Sequence, residues 1–149
     1  MVKSFITRSP SQTKKLGEKL AREFLDKTTK KAVVIGLIGD LGGGKTTFLQ
    51  GFAKGLGVEE KILSPTFVIA KMFKVQGSRF NNFYHFDCYR VQKPKEILDL
   101  EFKKIISEHG NVVAIEWADR IEKILPAGAI ISKFKFIDKL KRRIVLRLK

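Results

Sequence analysis

A three-layer α/β fold around a central mixed sheet follows from three features of the 149 residues. An unbroken, β-branched run, Ala32-Val33-Val34-Ile35-Gly36-Leu37-Ile38, has the composition of a strand buried on both faces of a parallel sheet. A glycine-rich turn and an amphipathic helical stretch follow it directly. Farther on, two segments alternate apolar and basic residues around Asp138-Lys139, as the strands of a hairpin with one wet, positive face do. The expected architecture is a parallel core with antiparallel additions, in a single domain over residues 1–149.

The elements follow in order. Ser9-Pro10-Ser11 is a helix-start signal, with Ser11 as the expected N-cap. Leu16, Leu20, Ala21 and Phe24 recur at helical spacing, which predicts a helix from residue 13 to about residue 27. After the first buried strand, Phe48, Leu49, Phe52 and Ala53 mark a second helix that Gly55 and Gly57 would end. Ser64-Pro65 then precedes two extended runs, 67–73 and 82–89, separated by Gln76-Gly77-Ser78 and expected to pair antiparallel. Pro94 opens one predicted helix over residues 95–107, which Gly110 stops. Asn111-Val112-Val113-Ala114-Ile115 is a second buried strand, running straight into Glu116-Trp117, and a short helix to about Ile124 is closed by Pro126.

Thirty Lys and Arg against fifteen Asp and Glu give a net charge of +15. Such a surplus attracts polyanions, nucleic acid first among them. Twenty-two of the thirty are Lys, so a solvated, solubilising surface explains the charge as well as RNA contact does. No stretch interleaves aromatic residues with Arg as single-strand RNA platforms do. The longest apolar run, seven residues, is far short of the roughly 20 that a membrane helix needs. The first residues hold no apolar secretion segment, and the lone Cys88 forms no internal disulfide. A cytoplasmic location is expected.

Gly39-Asp40-Leu41-Gly42-Gly43-Gly44-Lys45-Thr46 matches G-x-x-x-x-G-K-[ST]. Glycines let successive backbone N–H groups turn inward around phosphate oxygens, and the helix that follows points its positive end at the same anion. Lys45 would reach the β- and γ-phosphates, and the Thr46 hydroxyl would join a Mg²⁺ shell. A buried strand before and an amphipathic helix after complete the context of a phosphate loop, so the fold is of the P-loop NTPase type and the site is for a nucleoside triphosphate. The absence of Asn-Lys-x-Asp favours ATP over GTP.

Such a loop needs a carboxylate at the end of a neighbouring strand. Two residues qualify. Glu116 ends an apolar strand on the side where ligands sit in open α/β sheets. Asp87 shares one strand face with His85 and Tyr89. Either is positioned to serve the metal or the attacking water. Thr66 is placed as a switch hydroxyl, Trp117 beside the Glu116 carboxylate, and Arg90 as a cation for charge in transfer. Thr13 stands at the head of the first helix, where capping and base contact are both open.

Taken together, Gly39 to Phe48, Ser64-Pro65-Thr66-Phe67, Tyr84-His85-Phe86-Asp87-Cys88-Tyr89-Arg90 and Glu116-Trp117, with Thr13 and Gly17 spaced as Thr-x-x-x-Gly, resemble the TsaE family over roughly residues 11–126. These are small bacterial ATPases of tRNA threonylcarbamoyladenosine synthesis. The resemblance implies ATP or ADP and Mg²⁺ as cofactors and the TsaB–TsaD pair as partners, whose threonylcarbamoyl transfer to the adenosine beside the anticodon the ATPase assists. tRNA would be met through that complex or through the basic surface. By position it implies that Gly42, Gly43, Gly44, Lys45, Thr46 and Thr47 bind the phosphates, with Lys45 the catalytic cation. Thr46 and Glu116 would serve the metal, and Asp87 and Thr66 would lie in switch-like segments. Thr13 would contact the base, and Trp117 would lie near the nucleotide or a partner. Gly43, Cys88 and Ala118 depart from the family's usual Ala, Leu and Pro without removing a chemical group.

The leading expectation is therefore a partner-dependent ATPase, slow alone, with Lys45 and backbone amides neutralising charge and Asp87 or Glu116 positioning water. The alternative is a small-molecule P-loop phosphotransferase. It needs a lid carrying Arg residues, and between Thr47 and Glu116 only Arg79 and Arg90 are available. A basic RNA-binding module with a vestigial nucleotide site is disfavoured by the intact Lys45, Thr46 and carboxylates.

Overall fold

The computed structural model describes residues 2–25, 30–39, 44–62, 69–77 and 79–149. In chain order the elements are β1 (Val2–Thr7), α1 (Pro10–Leu25), β2 (Val33–Gly39), α2 (Lys45–Leu56), β3 (Ala70–Lys74) and β4 (Asn82–Asp87). Then come α3 (Lys95–Leu98), α4 (Phe102–Ser107), β5 (Asn111–Glu116), a 3-10 segment (Ala118–Ile124), β6 (Ile130–Phe136) and β7 (Arg142–Leu148). The seven strands form one sheet in the order β1-β7-β6-β2-β5-β4-β3. β2 runs parallel to both β5 and β6, and β4 runs parallel to β5. The pairs β1–β7, β6–β7 and β3–β4 are antiparallel. The α/β fold with a parallel core and antiparallel additions is thus as the sequence reads.

Continuous apolar sequence produces the centre. Every residue of β5 is buried. Val112 and Ala114 face a core under α1 and α2, and Val113 and Ile115 face a second core on the other side. The first core is rich in Phe: Phe48 meets Phe134 edge-on at 5.3 Å and Phe24 meets Phe52 at 5.7 Å, geometries that the ring quadrupole favours. α1 and α2 press backbone to backbone there, since a Cβ on Gly51 would strike the Lys14 carbonyl and one on Gly17 the Phe48 carbonyl. The second core is roofed by α3, α4 and the 3-10 segment, with Phe86 edge-on to Phe102 at 5.5 Å. No helix among the described residues is long and apolar enough to cross a membrane.

Three local expectations change. α1 begins at Pro10, and its cap is Ser9 rather than Ser11: Ser9 Oγ accepts the Gln12 N–H at 3.1 Å, and Gln12 Oε1 accepts the Arg8 N–H at 2.7 Å. Pro10 suits the first helical position because its missing N–H needs no partner there. The single helix predicted over 95–107 is two, broken where Glu101 adopts φ 59°. Ile97 and Phe102 are both fully buried, yet five positions on one helix lie about 140° apart, so only a break turns both inward. Finally, residues 2–7, read above only for a secretion signal, form β1 along the outer edge of β7. The residues after 25 in the first predicted helix, and 67–68 of the first extended run, lie outside the described residues.

Candidate active site

The carboxyl ends of β2, β5 and β4 lie side by side in the sheet, and three of the buried polar side chains, Lys45, His85 and Glu116, gather there. β2 ends at Gly39 and α2 begins at Lys45, with Gly44 at φ 95° as its N-cap, a left-handed conformation that costs glycine little. Lys45 is only 5% exposed. Its ammonium donates to the Gly39 carbonyl at 2.6 Å and lies over the Trp117 ring, 4.4 Å from the centroid. The cation is thereby held beside the loop by a carbonyl dipole and an aromatic face.

In the parallel register of β4 and β5, Asp87 stands opposite Glu116 and His85 opposite Ala114. These residues therefore project from the face that α2 covers. Glu116, 3% exposed, is tied at both oxygens: Oε1 accepts the Thr46 hydroxyl at 3.3 Å, and Oε2 is 2.7 Å from His85 Nε2. His85 is itself buried, so the pair is fixed in one geometry rather than solvated. Asp87 is different. Its Oδ1 accepts the Tyr89 N–H at 3.0 Å, and desolvation pushes its carboxyl above the ordinary value; that hydrogen bond opposes the rise and the nearby Glu116 charge adds to it.

Trp117 adopts φ 58°, uncommon for a bulky aromatic residue and costing roughly 1–2 kcal/mol. The turn aims its ring at Lys45 on one side and at Tyr89 on another, with ring centroids 5.0 Å apart and the Arg120 guanidinium 5.8 Å from the Trp117 centroid. Strained aromatic residues persist where the surroundings hold them, and function is a common reason. The adjacent Cys88 is buried and its thiol is pushed up to about 12 by desolvation, so it belongs to the core rather than to any chemistry.

Of the residues singled out by sequence, Lys45, Thr46, Glu116, Asp87 and Trp117 come together here, and Gly44 and Thr47 start α2 beside them. Thr13 is buried against the start of α2, its methyl 3.5 Å from where a Cβ on Gly44 would lie. Its hydroxyl is shared with Thr7 at 2.7 Å and directed at the Ser9 carbonyl at 3.3 Å. Arg90 is exposed in the turn after β4. Gly42, Gly43 and Thr66 lie outside the described residues. Sequence reasoning left His85 undecided and missed two cations: Arg120 beside Trp117, and Arg142, whose Cγ lies 3.6 Å from the Gly44 Cβ position. The alternation of His85 with Asp87 was a usable signal; nothing in the local sequence brings Arg142 of β7 to α2.

The chain is similar in sequence and in fold to known proteins. The family model for TsaE, the threonylcarbamoyl adenosine biosynthesis protein, matches residues 7–144. The chain belongs to the TsaE family. It is 34% identical over 126 residues to the tRNA threonylcarbamoyladenosine biosynthesis protein TsaE of Haemophilus influenzae, covering 83% of this chain and 76% of that protein. To the TsaE protein of Bacillus subtilis it is 40% identical over 121 residues, covering 80% and 69% respectively. The crystal structure of Bacillus subtilis YdiB superposes with a TM-score of 0.68 at 34% identity, over 98% of this chain and 84% of that one. Within this family fold, the site described above occupies the carboxyl ends of the central strands, where open α/β sheets bind ligands.

Proposed function

We propose that this chain acts in tRNA threonylcarbamoyladenosine biosynthesis as a Mg²⁺-dependent ATPase, slow alone, whose turnover assists a TsaB–TsaD pair in threonylcarbamoyl transfer. The observation that carries this reading is the hydrogen-bonded series Thr46–Glu116–His85, with Glu116 and His85 buried, standing beside Lys45 at the start of α2. A vestigial phosphate loop would have no reason to keep a buried carboxylate bonded at both oxygens.

The residues divide the work as follows. Backbone N–H groups of residues 42–46 and the positive end of α2 bind the phosphates of ATP, with Thr47 alongside. Lys45 exchanges its bond to the Gly39 carbonyl for phosphate oxygens and neutralises charge as it develops. Thr46 Oγ1 and Glu116 Oε1 are hard oxygen donors 3.3 Å apart, and they fit Mg²⁺, which takes few protein ligands and completes its shell with phosphate and water. When bound, the ion supplies charge neutralisation at the β- and γ-phosphates. His85 keeps Glu116 from rotating away from Thr46. Asp87, whose carboxyl is raised by desolvation and is not committed to α2, orients the attacking water. Thr66 senses the γ-phosphate, Trp117 backs Lys45, and Thr13 lines the base side.

The test is Mg·ATP hydrolysis by the purified chain, alone and with TsaB, TsaD and tRNA. Low activity alone, stimulation in the mixture, and a loss of about a hundredfold or more in Lys45→Ala and Glu116→Ala are expected. Wild-type hydrolysis that is already fast and gains nothing from those partners would refute the assisting role.

A further inference from the structure

The sheet is covered on both faces at its centre and on only one at its β6-β7-β1 end. Ile144, Leu146 and Phe134 face the first core. By register, the opposite face of the same three strands, beyond Ile131 at the start of β6, which the second core buries, presents Lys133 and Lys135 of β6, Arg143, Val145 and Arg147 of β7, and Val2, Ser4 and Ile6 of β1. The four cations on it are exposed, as are Val2 at 67% and Ile6 at 49%. No carboxylate occurs in any of the three strands. Residues 130–149 carry eight Lys and Arg against one Asp, so +7 of the chain's +15 falls on these twenty residues. The solvated-surface explanation open to the other lysines does not account for charge of one sign on one uncovered face.

We propose that this face of β6, β7 and β1 binds the phosphate backbone of a structured RNA. The proposal deepens the preceding reading, on which it rests only for naming that RNA as tRNA. Strand geometry spaces the cations suitably: Lys133 and Lys135 are about 7 Å apart along β6, Arg143 lies about 5 Å across from Lys135, and Arg147 about 13 Å farther along β7. The aliphatic floor of Val2, Ile6 and Val145 lets the long stems lie flat while their charged ends stay in water. No aromatic side chain lies among these positions, so bases have no platform on which to stack and the contact is to backbone shape rather than to sequence. Glu122 is the acid that reaches in, 3.8 Å from Arg147, as a half-exposed and weak pair. The aromatic Phe134 and Phe136 alternate to the opposite face, where Phe136 meets Arg142.

The probe is an unmodified tRNA transcript, followed by fluorescence anisotropy as salt is varied. Four neutralised phosphates predict a slope of log K against log salt of roughly −3. The variant Lys133→Gln/Lys135→Gln/Arg143→Gln/Arg147→Gln is expected to lose at least tenfold in affinity and most of the slope, and the β6 double variant about half of each. A control, Lys15→Gln/Lys19→Gln/Lys103→Gln/Lys104→Gln, removes the same charge from exposed helical positions and is expected to change little. Equal losses in both quadruple variants, or no tRNA binding by the wild-type chain, would overturn the proposal. So would retained tRNA binding with weakened binding to TsaB–TsaD, which would make the face a protein-docking surface. ATP hydrolysis is expected to be unchanged in the four-residue variant. A chain that binds tRNA through this face yet hydrolyses no ATP would sink the ATPase reading and leave this one standing.

Discussion

The middle of the sheet and its β6-β7-β1 end are built from the same kind of element under opposite constraints. In β5 all six residues are buried, and in β7 only Ile144 and Leu146 are. A strand sandwiched between two cores tolerates a charged residue only where partners hold it, so Glu116 survives at 3% exposure because Thr46 and His85 occupy its oxygens. A strand with one wet face accepts charge at every second position at little cost, and there the chain places Lys and Arg with no carboxylate in the three strands themselves. Fixed geometry comes from the first setting, and a broad electrostatic field from the second.

The largest effects that would sharpen this contrast are in packing. Phe86→Ala, in the doubly covered centre, is expected to cost about 3–5 kcal/mol, whereas Val145→Ala on the open face should cost under about 1 kcal/mol. Comparable losses in urea unfolding would mean that the open face is covered in solution. Next comes His85→Ala. It should lower kcat roughly 10- to 100-fold with a smaller change in KM, because the orphaned Glu116 is free to turn from Thr46. His85→Gln, which keeps a donor, should recover part of the loss. A drop in thermal stability without any kinetic change would reduce His85 to packing.

The smallest effect concerns Asp87. Its carboxyl is raised above 3.8 in the folded chain, so the native state holds that proton more tightly than the unfolded one. The stabilisation this gives is present below 3.8 and lost as pH rises through the folded value. Asp87→Asn, which still accepts the Tyr89 N–H, should therefore melt slightly higher than the wild type at neutral pH without nucleotide. The gain should vanish in acid. A lower melting point at pH 7 would show that the ionised carboxylate is held by a stabilising partner.

Much of the site was legible because its parts are local. The glycine turn between β2 and α2, the carboxylate ending β5 and the shared face of His85 and Asp87 are all matters of adjacency or of period two. Arg142 was not legible, since it reaches the site only through the folding of a distant segment, and Arg120, although only three residues from Trp117, meets its ring only because the backbone turns at φ 58° there. The choice between Glu116 and Asp87 was equally closed to sequence: both end apolar strands, and only the contact with Thr46, seventy positions away from Glu116, separates them.

By itself the sequence determined where strands are buried on two faces, where they alternate, and where backbone turns without side chains, because hydrophobic period reports the solvent on each side of an element. Tertiary structure decided that β6 lies beside β2 and β1 beside β7, that Glu101 breaks a helix so that Ile97 and Phe102 both turn inward, and that His85 locks Glu116. Those outcomes depend on which surfaces meet, and meeting is a property of the packed chain that no local pattern encodes.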